Sequence, residues 1–278
     1  MMETLLLPFR FGFMQEAFLI AAMIAVPTAL LSCFLVLKGW ALMGDAVSHA
    51  ILPGVVLAYI LGWPLLIGAF AAGMLTTLAT GYLAQNSRVK QDTVMGVVFS
   101  GMFGLGIVLY TSISSDLHLD HILFGNILGI DAADLWTTGL IAGGVSLALV
   151  ARWKDLMLHA FDPAQARTSG LPVGLLHYGL LTVLSLTIVA TMSAAGLILA
   201  VGLLIAPGAI AFLLSRRFGR MMALAVAVNL LGLLGGVYAS FFWGSDPAAT
   251  VIVLLTAMFL AAFLWRRWRI ARMTAQAA

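Results

Sequence analysis

Residues 41–61 read ALMGDAVSHAILPGVVLAYIL, an apolar run long enough to cross a ~30 Å hydrocarbon layer as a helix. It is interrupted by one carboxylate, Asp45, and one imidazole, His49. Positions i and i+4 of a helix lie on one face, so the two side chains are able to serve one ligand. An ionisable residue inside a membrane is expensive and faces the bundle interior, a partner or a water-filled path. Carboxylate oxygen with imidazole nitrogen suits manganese, iron or zinc, whereas calcium and magnesium prefer all-oxygen shells. The plainer reading makes Asp45 the cap of its helix and His49 a satisfied core histidine.

The rest of the chain resembles this stretch in composition. Hydrophobic residues make up 63% of the 278 and charged residues 9%, with a mean hydropathy of +1.10, far outside the range of water-soluble domains. The fold class expected is an all-α integral membrane protein, a polytopic bundle of eight to nine transmembrane helices forming a single domain over 1–278. Apolar windows between charged or turn-rich breaks fall near 14–37, 41–61, 64–85, 93–113, 134–151, 173–192, 195–215, 221–242 and 247–265. The N-terminus lacks the basic start and cleavage site of a signal peptide and is expected to be retained. A single cysteine, Cys33, rules out an internal disulfide.

Basic residues set the expected orientation. With the C-terminal RRWRIAR in the cytoplasm, nine spans place Lys38, Arg88, Lys90, Arg152, Lys154, Arg167, Arg216, Arg217 and Arg220 on that same side, leaving Arg10 outside. Glu3, Glu16, Asp116, Asp120, Asp131, Asp134 and Asp246 gather on the opposite face, which favours the approach of cations or of a basic partner surface.

ILPGVVLAYILG at 51–62 resembles LIAPGAIAFLLS at 204–215. These Pro-Gly steps, Pro53-Gly54 and Pro207-Gly208, run in opposite directions across the membrane, the pattern of an inverted repeat with broken helices and a gating role. Rows of small residues at Gly96, Ser100, Gly104 and at Gly232, Gly236 suit close helix packing.

Between spans four and five, His118, Asp120 and His121 form a second polar cluster, a candidate for metal capture at the entrance. On the cytoplasmic side the loop 152–172 contains Asp162-Pro163, a cap with proline in the first turn, then a short polar helix ending at Gly170. His159 and His177 flank this loop without a ligand-spaced partner and are expected at a surface or interface. No P-loop, H-E-x-x-H or G-x-S-x-G motif occurs, so the chain neither binds ATP through such a loop nor carries those hydrolytic sites.

VLKGWALMGDAVSHAILPGVVLAYILG at 36–62, HILFGNILG at 121–129, FDPAQARTSGLP at 161–172 and LLIAPGAIAFLLSRRFGRM at 203–221 together resemble the permease family of ABC importers for manganese, zinc and iron. The resemblance implies a homodimeric transmembrane subunit of a prokaryotic inner membrane, working with two copies of a separate ATPase and an extracytoplasmic metal-binding protein. It implies no enzyme activity of the chain itself, no permanently bound cofactor and no nucleic-acid partner. Asp45 and His49 would contact the transported metal, manganese or iron more than zinc, and Asp162, Ala166 and Gly170 would belong to the element that couples to the ATPase. Gln165 stands where that element often has an acidic residue. An ion-coupled secondary carrier and a structural or channel-like subunit are the rival readings.

Overall fold

The computed structural model describes residues 6–40, 42–112, 127 and 132–277. After a 3₁₀ turn at Leu7–Arg10, the helices are α1 Gly12–Lys38, α2 Met43–Ala50, α3 Leu52–Leu61, α4 Leu65–Gln85, α5 Gln91–Thr111 and α6 Ala132–Ala151. They continue as α7 Trp153–Phe161, α8 Pro163–Thr168, α9 Val173–Ala195, α10 Leu197–Leu214, α11 Phe218–Trp243 and α12 Pro247–Ala277. Among the described residues nine segments are long and apolar enough to span a membrane, α2 and α3 acting as one. They match the nine windows expected from hydropathy.

Lipid tails are as apolar as leucine, so membrane helices gain from packing more than from burial, and small residues bring their backbones together. α1 is the hub, with Ala17, Ala21, Ala25 and Ala29 fully buried and α6, α10 and α11 packed around it. A Cβ at Gly208 of α10 would stand 2.6 Å from the Ser32 carbonyl of α1. Gly232 and Gly236 receive Leu255 and Val251 of α12, each 2.5 Å from where a Cβ would be. The row at Gly96 and Gly104 behaves otherwise, with nothing within 4 Å of either position. Among the described residues, that face of α5 packs against no other helix.

The Pro-Gly steps also diverge. Pro53 stands at the start of α3, after the break at Ile51, but Pro207 lies inside the continuous helix α10. The expected second break is therefore absent: the helix runs on through the proline, and Gly208 brings α10 into direct backbone contact with α1.

One buried polar link ties α11 to α1. Asn229 donates from Nδ2 to the Ala25 carbonyl and to Thr28 Oγ1, both at 2.9 Å. Asn229→Leu is expected to lower stability by roughly 1 kcal/mol, measurable as a fall in the unfolding midpoint in detergent.

Aromatic contacts show which ends meet. Phe218 at the start of α11 touches Phe34 of α1 and Trp153 of α7 at ring distances of 5.1 and 6.2 Å. At the other end Phe9 and Phe11 meet Tyr238 and Phe241. The end of α1, the α7–α8 segment and the start of α11 thus share one end of the bundle, as the alternation of basic residues requires.

Candidate functional site

α2 begins with Leu42 at its cap position, where no side chain makes a capping bond. Asp45 stands in the first turn, so it is not the cap. Its Oδ1 instead lies 3.3 Å from His49 Nε2, one turn on. The His49 and Asp45 side chains are 31% and 40% exposed, although both belong to a span. The opposite face of the helix is closed: Gly44, Val47 and Ser48 are buried, a Cβ at Gly44 would lie 3.0 Å from Leu204, and Ser48 Oγ donates to the Gly44 carbonyl at 2.7 Å. Packing therefore turns the two donors outward from the chain.

α5 supplies the flanks, a contribution that spacing within α2 did not reveal. Phe103 meets the His49 ring edge-on at 5.4 Å and Phe99 lies at 6.3 Å. Between them they limit how the imidazole can turn. His49 Nδ1 is buried without a hydrogen-bond partner. Among the described residues no group of three or more His, Cys, Asp or Glu side chains is placed to hold a metal. The pair offers one oxygen and one nitrogen, half of a four-ligand shell. The proposed entrance cluster, His118, Asp120 and His121, lies outside the described residues.

The loop 152–172 folds as its residues suggest. Asp162 Oδ1 accepts from the Ala164 and Gln165 N–H groups at 2.9 Å each, with Pro163 opening α8. Gly170, at φ +78°, closes the segment: its N–H donates to the Arg167 carbonyl and that of Leu171 to the Ala166 carbonyl, the pair of hydrogen bonds that favours glycine at a helix end. Ala166 is fully buried, while Asp162, Gln165 and Gly170 face outward. This leaves a short, firmly capped helix projecting from the basic end.

His159 departs from expectation, being 3% exposed rather than a surface residue. It shares the inner face of α7 with Leu156, three residues away, and its partner Lys38 is 121 residues distant. No local pattern announces such a contact.

Among the described residues, nine apolar spans and a capped helix at one end define a polytopic helical membrane protein. The ABC 3 transport family matches residues 10–266, and the chain belongs to it. It is 51% identical over 258 residues to the chelated iron transport system membrane protein YfeD of Yersinia pestis, covering 93% of this chain and 87% of that one. The manganese transport system membrane protein MntB of a Synechocystis species is 45% identical, with 92% and 84% covered. The solved structure of PsaBC from Streptococcus pneumoniae in complex with Fab matches at a TM-score of 0.85 and 33% identity, over 95% of both chains.

Proposed function

We propose that this chain is the transmembrane permease of an ATP-driven importer of a divalent transition metal, manganese or iron in preference to zinc. The observation that carries this reading is the Asp45–His49 pair, 3.3 Å apart and half-exposed on a span. Two copies related by a two-fold axis beside α2 and α5 would bring two carboxylates and two imidazoles to one path. Such a shell must be weak enough to release its ion, which distinguishes it from a closed structural site. The iron and manganese named for the relatives favour those metals here. The donor set itself does not exclude zinc, which binds the same groups at least as tightly, so selection falls largely to the extracytoplasmic binding protein.

In this reading the chain sits in a prokaryotic inner membrane with its C-terminus and the 152–172 loop in the cytoplasm. The Asp162–Gly170 segment docks into an ATPase, one on each permease copy, and the ATPases perform the hydrolysis. A metal-binding protein docks on the acidic outer face, and His118, Asp120 and His121 would receive its ion there.

The test is radiolabelled manganese uptake into proteoliposomes holding the chain with its ATPase and binding protein. Uptake is expected to require ATP, and iron and zinc to compete. Uptake that persists without the ATPase, driven by an ion gradient, would replace the importer with a secondary carrier.

A further inference from the structure

Four side chains that the proposed metal path does not use close into a ring at the basic end of the bundle. Lys38, the last residue of α1, lies with Nζ 3.0 Å from His159 Nε2 and 4.4 Å from the centre of the Trp40 ring. The Trp40 ring stands edge-on to His177 of α9 at 5.5 Å, and His177 meets His159 at 6.0 Å. Three segments distant in sequence are thus joined: the α1–α2 connection, α7 and α9.

The ring is a contact made to open. An ammonium can only donate, so Nε2 accepts from Lys38 and the imidazole proton sits on Nδ1, which is buried without a partner among the described residues. Among the described residues no carboxylate lies within ion-pair distance of Lys38. The closed state thus holds an unsatisfied donor and an ammonium neutralised by no acid, both disfavoured in a low-dielectric setting.

The ring's position is as telling as its chemistry. α7 runs into α8 through Asp162, whose N–H donates to Leu158 while its carboxylate caps α8. On the other side, Gly39 at φ +70° ends α1, and the Trp40 N–H returns to Leu35 at 2.8 Å. The Trp40 carbonyl then accepts from Met43, the first residue of α2, at 2.9 Å. Two side chains and one turn of backbone thus separate α7 from the helix bearing Asp45 and His49.

We infer that the Lys38–His159 contact, closed by Trp40 and His177, is the link that passes movement of the Asp162–Gly170 segment to the helix carrying Asp45 and His49. Lys38 and His159 are its positioning residues. The inference rests on reading that segment as the one an ATPase moves.

The link carries a pH dependence. His159 faces Lys38 from α1 and His177 from α9, while on its own segment Arg152 and Asp155 pair with each other at 3.5 Å. Asp162 and Arg167 of α8 are exposed. Burial first, then the charge of Lys38, then His177 hold the His159 pKa down to about 4, against ~6.5 for a free histidine. A pKa lowered in the closed ring means that protonation of His159 favours opening: the His159 contribution is fully present above about pH 6.5 and is lost as pH falls toward 4. Going from pH 7.5 to 5.5 should shift the balance toward the open ring about 10-fold.

Hydrogen exchange on the full chain in lipid nanodiscs tests the link without ATPase or metal. Lys38→Met should speed exchange, corrected for intrinsic rates, about 10-fold in both 153–170 and 39–50 while leaving 218–243 unchanged; Lys38→Arg should preserve protection. His159→Gln, which keeps an acceptor and cannot titrate, should protect both segments at pH 7.5 and lose the extra exchange that wild type shows at pH 5.5. Loosening confined to 153–170, or an unaltered pH response in His159→Gln, would overturn the inference. In the complex with its ATPase, Lys38→Met should hydrolyse ATP while moving about 10-fold less manganese per ATP; an unchanged ratio would likewise overturn it. Paired exchange behaviour in a wild-type chain that imports no metal would uphold the link and remove only the importer reading.

Discussion

With either Asp45 or His49 replaced by alanine, ATP-driven manganese uptake by the reconstituted complex is expected to fall on the order of 100-fold, at least the loss seen when mere supporting groups of a metal site are removed. The geometry makes this a functional loss and not a folding one. Both side chains are partly exposed and paired with each other, so truncation opens no cavity in the core. The start of α2 uses no side-chain cap, so removing Asp45 costs it no capping bond, and stability should change by no more than about 0.5 kcal/mol. Because the pair would recur on both chains, one substitution removes two ligands of four. Asp45→Asn sharpens the test, since it keeps the shape of the residue but not its charge. Wild-type uptake in Asp45→Asn and His49→Ala, with normal assembly and ATP hydrolysis, would return the pair to a packing role.

Gly54→Val should have the largest structural effect. A Cβ at Gly54 would run into the Gly68 carbonyl of α4 and come 2.6 Å from the Ala72 Cβ, and a Cβ at Gly68 would do the same to Gly54 and Ala58. Two backbones are crossing there in direct contact, and neither can yield by rotating a side chain. Overpacking of this kind costs ~3 kcal/mol or more, a large fraction of a typical stability margin of about 5–15 kcal/mol. Little folded protein is expected in the membrane, read as the monodisperse fraction after detergent extraction. Gly101→Ala on α5, where nothing among the described residues stands within 4 Å of the new methyl group, is the control and should extract as wild type does. Equal yields from the two variants would mean that the α3–α4 crossing is looser than its geometry implies.

Much of this architecture was legible in advance because membrane insertion depends on quantities summed along a short stretch of chain. Apolar length marked all nine spans, Asp162-Pro163 and Gly170 marked both ends of α8, and the four-residue spacing of Asp45 and His49 placed them on one face. Each is local: a helix end, a helix face or a hydropathy window is set by residues within a turn or two. The remainder depended on contacts between distant segments. Pro207 resembles Pro53 in sequence yet lies within an unbroken helix that packs against α1. Gly232 and Gly104 sit in similar small-residue rows, and only the neighbouring helix decides that one is filled and the other bare. His159 lies 121 residues from Lys38, and hydropathy and periodicity hold no term for such a pairing. The tertiary structure alone turns Asp45 and His49 outward beside Phe99 and Phe103 and closes the Lys38–His159 ring, since both follow from which helix faces meet when nine similar spans pack together.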